Sequence, residues 1–192
     1  CTNYISGIIT LLSSKGYPTA SVDSIIENEN STLIHLFLGH QYYWINLQTD
    51  SVEKAALTYS RFQNKDYNGK LLNIPQLNNL QQKMLTYYTN NGYPFAQVYL
   101  DSIKLNEEKM EAKLKVNKGQ VYYIDSIQII GKGKISRKFL QHYLNISNGS
   151  LYNQQKLEQV SNRMQALPYL QEQQPSKIGM LGTGAILNLY LA

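Results

Sequence analysis

The chain has 192 residues, 43% hydrophobic and 16% charged, with 18 Lys and Arg against 13 Asp and Glu. That composition is that of a folded chain and excludes disordered or collagen-like structure, and no apolar run approaches the roughly 18 to 20 residues of a membrane-spanning helix. The net charge of +5 is dispersed and its richest stretch, 132–138, is short, so no nucleic-acid partner is expected; a lone cysteine, Cys1, and three scattered histidines rule out an intramolecular disulfide and a cysteine-based zinc site.

Ile5, Ile8, Ile9 and Leu12 recur at helical spacing, and Gly16, in Lys15-Gly-Tyr-Pro18, ends that helix. The next helical stripe is Leu77, Leu80, Met84 and Tyr87, stopping at Gly92 in Asn91-Gly-Tyr-Pro94, where glycine takes the left-handed conformation and proline forbids continuation. Ala96, Val98 and Leu100 then alternate at period two, residues 106–109 make a polar turn, and Met110, Ala112, Leu114 and Val116 alternate with Glu111, Lys113, Lys115 and Asn117. This predicts a hairpin with one apolar and one wet face. Residues 120–130 read as a strand ending at Gly131, and residues 136–144 as a short helix carrying Phe139, Leu140 and Tyr143. Asn153 caps a further helix with Leu157, Val160, Ser161 and Met164 inward, and a last hairpin pairs 170–178 with 185–191 through a turn at 181–184.

These elements repeat. Gly39-His-Gln-Tyr-Tyr-Trp44 aligns with Gly119-Gln-Val-Tyr-Tyr-Ile124 at an offset of 80, and without a gap Gly69, Leu71, Asn73, Leu77 and Met84 fall on Gly149, Leu151, Asn153, Leu157 and Met164. Eleven of the 46 aligned positions from 39 to 84 are identical, where composition alone gives roughly three. Upstream, Gly16-Tyr-Pro18 repeats as Gly92-Tyr-Pro94, and Asp23-Ser-Ile25 as Asp101-Ser-Ile103. The predicted organisation is therefore a partial unit at 1–38, helix plus hairpin, and full units at 39–118 and 119–192. The fold class is α+β, with tandem β-α-α-β-β units, each a small three-stranded sheet under two helices.

A tandem β-α-α-β-β unit with a helix-ending Gly-Tyr and a Gly-x-x-Tyr entry into the next first strand resembles the polypeptide-transport-associated (POTRA) domain. The pieces carrying this resemblance are Lys15-Gly-Tyr-Pro-Thr-Ala-Ser-Val22, Asn91-Gly-Tyr-Pro-Phe-Ala-Gln-Val98, Lys118-Gly-Gln-Val-Tyr-Tyr-Ile124 and Ile127-Gln-Ile-Ile-Gly131. Leu167-Pro-Tyr-Leu170 is similar to the end of the last such domain before the barrel in outer-membrane assembly factors of the BamA and TamA kind. The first unit departs by lacking an opening strand and helix, and the last by having Ala166-Leu-Pro in place of Gly-Tyr.

The resemblance implies a periplasmic arm attached to a C-terminal outer-membrane barrel, acting in outer-membrane protein assembly or translocation. Its implied partners are unfolded outer-membrane proteins or other extended polypeptides, accessory periplasmic or lipoprotein subunits, and its own barrel. In the family the pairing edge is the strand after the second helix, here 95–103. Phe95, Gln97, Val98, Tyr99 and Asp101 are thus the expected peptide-binding residues, using unpaired backbone groups. Gly16, Gly39, Gly92, Gly119 and Gly131 read as structural turns or hinges. The alternative is a stand-alone periplasmic adaptor for a fixed protein partner, without a barrel. No catalytic constellation, metal set or cofactor motif is expected. The glycine-rich Gly131-Lys-Gly-Lys134 lacks the spacing of a phosphate loop.

Overall fold

The computed structural model describes the chain except Cys1, Glu29, Asn30, Lys134, Pro168 and Tyr169, and except the side chains of Thr2 and Asn3. The sequence readings at Cys1, Lys134 and Pro168-Tyr169 therefore fall outside the described residues. Contacts divide the chain into two compact units, residues 1–84 with 98–116, and residues 85–97 with 117–192.

The first unit opens with helix α1 (Thr2–Ser14), followed by strands β1 (Ser21–Asn28) and β2 (Ser31–Phe37), which pair antiparallel as a two-stranded sheet. Next come β3 (Tyr43–Gln48), helix α2 (Lys54–Ser60), a 3-10 turn at Asn64–Asp66, and helix α3 (Ile74–Asn90), whose last turns belong to the second unit. Strands β4 (Gln97–Asn106) and β5 (Lys109–Asn117) follow, and the three-stranded sheet has the order β3-β5-β4. β3 runs parallel to β5, with Trp44 opposite Met110 and Leu47 opposite Ala112. Alternation puts Met110, Ala112 and Leu114 on one face, where they are buried with Trp44, Leu47, Ala56, Leu77, Leu80 and Met84. Each large apolar side chain so buried contributes roughly 1.5–3 kcal/mol.

The second unit repeats the plan. It holds β6 (Tyr123–Gly131), helix α4 (Arg137–Leu144), the short β7 (Ser150–Leu151), helices α5 (Gln154–Glu158) and α6 (Val160–Gln165), β8 (Glu172–Leu181) and β9 (Gly184–Leu191). β6 runs parallel to β9, and Ile124, Ile127, Leu140, Leu144, Leu157, Val160, Met164, Leu187 and Leu189 share one core.

Two details differ from the sequence reading. This sheet has four strands, β7-β6-β9-β8, because Ser150 and Leu151 pair antiparallel with Ile124 and Tyr123; at the matching place the middle sheet has only an isolated bridge, Tyr43 to Leu71. The helix expected as one piece after Asn153 is two, since Gln159 relaxes to ψ −8 between them. The Asn153 cap forms as expected, its side chain accepting from Lys156 N at 2.9 Å, and Asn73 does the same for Gln76 N at 2.9 Å.

Candidate functional site

The turn leading into β4 is made by sequence at its tightest point. Tyr93 N donates to Tyr88 O at 3.0 Å, a six-to-one bond around Gly92 at φ +95. The first copy matches, with Tyr17 N donating to Leu12 O at 3.1 Å around Gly16 at φ +90. This is the Schellman closure, which satisfies a carbonyl of the last helical turn and requires a left-handed residue. Packing adds a second demand for glycine. A Cβ on Gly92 would lie 2.9 Å from both Leu151 Cδ2 and Val121 Cγ2, and one on Gly16 would lie 3.0 Å from Leu71 Cδ2. In both copies the glycine carbonyl then accepts a 2.7 Å bond, from Tyr122 N at Gly92 and from Tyr42 N at Gly16.

The other glycines singled out in the sequence serve different ends. Gly39 and Gly119 have φ of +69 and +67; a Cβ on Gly39 would strike Thr19 Oγ1, whereas one on Gly119 would meet open space. Gly131 ends β6 against the carbonyl oxygen of Leu191, which a Cβ there would strike. It is thus a close-approach glycine of the sheet.

β4 lies at the end of its sheet, so one side of its backbone is an edge. Gln97, Val98, Tyr99 and Asp101 are on this strand, whereas Phe95 precedes it and sets its ring edge-on to Tyr122, with centroids 5.3 Å apart. The strand also runs three residues past the predicted 103, through Lys104, Leu105 and Asn106. Its signal was the continued alternation Ile103-Lys104-Leu105 up to a two-residue turn at Glu107 and Glu108. Tyr99, Ile103 and Leu105 are 43%, 53% and 56% exposed, large apolar groups on an unpaired edge.

Two contacts shape the strand. Gln81 Nε2 donates to Val98 O at 3.3 Å, occupying one acceptor at its N-terminal end. Ser102 adopts φ +52 and gives its N–H to Asp101 Oδ1 at 2.8 Å, a local irregularity in mid-strand. Asp101 also forms an ion pair with Lys115 of β5. The hydrogen bond from Lys115, joined by the Ser102 N–H, holds the Asp101 carboxyl below its ordinary value, and the same pairing raises Lys115. These charges lie on the wet face, apart from the exposed apolar side chains of Ile103 and Leu105.

Nothing on the strand converges on a reactive centre. Among the described residues no group of three or more His, Cys, Asp or Glu is placed to hold a metal ion. What β4 presents is an edge of backbone donors and acceptors beside exposed apolar side chains, a surface suited to an added strand.

Residues 122–179 match the family POTRA, described as surface antigen variable number repeat. No curated protein matches the sequence. The chain is similar in structure to POTRA domains 3–5 of Haemophilus influenzae BamA, with a TM-score of 0.65 at 13% identity over 99% of this chain and 79% of that one. It is also similar to Haemophilus ducreyi BamA lacking POTRA domains 1–3, with a TM-score of 0.55 at 13% identity over 78% of this chain, and it spans only 29% of that one. The chain thus has the fold of tandem POTRA domains, and residues 122–179 carry the POTRA sequence signature as well.

Proposed function

We propose that this chain is the substrate-binding arm of an outer-membrane protein assembly or translocation factor, and that it holds extended polypeptide by strand addition along β4. The observation that carries the reading is the ten-residue β4 at the end of its sheet, with Tyr99, Ile103 and Leu105 exposed beside it. Backbone pairing is nearly blind to sequence, which suits clients that share only an alternating strand pattern. The POTRA fold supports the setting, a periplasmic arm next to an outer-membrane barrel. Accessory subunits belong to the same proposal.

Photo-crosslinking in native cells tests it. A benzoylphenylalanine at Tyr99 or Ile103 should capture outer-membrane protein precursors, whereas one at Glu111, on the wet face of β5, should not. An antibody to this chain should detect an outer-membrane band that shifts on boiling, as closed barrels do. Capture of one fixed partner, with no heat-shifted band, would replace the reading with the adaptor alternative.

A further inference from the structure

The net charge of the chain has one source. Residues 126–157 hold five of the 18 cations and none of the 13 acids, so the rest of the chain balances at 13 of each sign. Four of these cations, Lys132, Lys134, Arg137 and Lys138, fall within seven residues. The fifth, Lys156, is tied down by donating to Asn145 O at 2.9 Å.

Three of those four are described in the structure, all in the second unit. Lys132, Arg137 and Lys138 are exposed and enter no ion pair among the described residues. Their connection is held by backbone, since Gly133 N donates to Leu191 O at 3.3 Å and Gly131 abuts the same carbonyl. Phe139, 42% exposed, adjoins Arg137 and Lys138 on helix α4, and its ring is stacked on Tyr143 at 5.7 Å, with 8° between planes. Beneath them Leu140 and Leu144 are buried, so helix α4 is fixed by its inner face and offers cations and an aromatic ring outward. The acid nearest in register is Glu172, opposite Leu191, and its carboxylate already accepts from Ser161 Oγ and Ser176 N.

We propose that this patch docks the second unit onto a bilayer surface carrying anionic phospholipid. The cations face the headgroup phosphates, while Phe139 enters the boundary with the acyl chains. Basic residues beside an apolar one match a charged layer over a hydrocarbon one. Single-stranded nucleic acid would use the same cations, and the oligonucleotide arm of the test separates the two.

The test is co-sedimentation of the 192-residue chain with vesicles of phosphatidylethanolamine and phosphatidylglycerol at 3:1, against vesicles of phosphatidylcholine. Each cation near such a surface is worth about fivefold in partitioning. The triple variant Lys132→Gln, Arg137→Gln, Lys138→Gln should therefore bind about a hundredfold more weakly, and Phe139→Ala about tenfold. A control removing equal charge from the first unit, Lys54→Gln, Lys65→Gln, Lys70→Gln, all exposed, should bind like the unaltered chain. Three results would overturn the proposal: equal binding to phosphatidylcholine, an equal loss in the control, or a single-stranded oligonucleotide bound more tightly than vesicles through the same cations.

Discussion

Gly92 meets two constraints at once, a φ of +95 and side chains 2.9 Å from where a Cβ would stand. Gly119 meets only the first, at φ +67 with open space around it. Gly92→Ala should therefore destabilise the chain by roughly 2–3 kcal/mol, and Gly119→Ala by only about 1 kcal/mol, as read from urea unfolding midpoints. Tyr67 offers a pH test. It is 5% exposed and stacks on Phe62 at 5.3 Å; burial, with a smaller push from Asp66, raises its phenol from 10.0 to about 12. The folded state favours the neutral phenol, so this contribution is complete below pH 10 and is lost as pH rises from about 10 to 12. Two pH units correspond to up to about 2.7 kcal/mol. Relative to Tyr67→Phe, the unaltered chain should lose stability between about pH 10 and 12, and parallel stability curves for the two would contradict the assignment. The glycines and the Asn153 cap were legible in the sequence because each answers a local backbone requirement. The Ser102 irregularity was not, since serine carries no preference for φ +52 strong enough to read.

At the scale of elements, periodicity recovered most helices and strands because buried faces impose it: β5 alternates and α3 carries a 3,4 stripe. What escaped depends on partners distant in sequence. β7 exists only because β6 lies beside Ser150 and Leu151, and the extent of β4 is set by its hairpin partner β5. The lock between α4 and α6 is another such case. Arg163 Nη1 donates to the carbonyls of Tyr143 and Leu144 at 3.2 Å each, while Tyr143 OH donates back to Arg163 O at 2.9 Å. A cation on the last carbonyls of a helix satisfies acceptors that have no partner within it. Arg163→Ala should cost about 1–2 kcal/mol, and Tyr143→Phe about 1 kcal/mol. Because the two share one lock, a double-mutant cycle by denaturant unfolding should show the double variant less destabilised than the sum. Strict additivity would mean the bonds act independently. Leu140→Ala, by contrast, opens a fully buried site on α4 and should cost 2–5 kcal/mol, roughly.

For the whole molecule, the α+β class and the POTRA fold were legible, because two copies in one chain reveal which residues the fold requires. The candidate site was legible only in part. Gln97, Val98, Tyr99 and Asp101 sit on the edge strand, but Phe95 lies outside it, and the strand's most exposed apolar residue, Leu105, lies past the predicted limit. An edge is a property of strand order, which composition does not encode. The central claim is that β4 accepts an added strand, and amide NMR tests it most directly. A twelve-residue peptide alternating valine or tyrosine with serine or threonine would be titrated into the 15N-labelled chain. Shifts should concentrate on residues 97–106, largest from Ile103 to Asn106, and Ile103→Lys, at an exposed position, should weaken binding about tenfold without unfolding the sheet. Shifts confined to helix faces, or none along β4 at millimolar peptide, would contradict the claim.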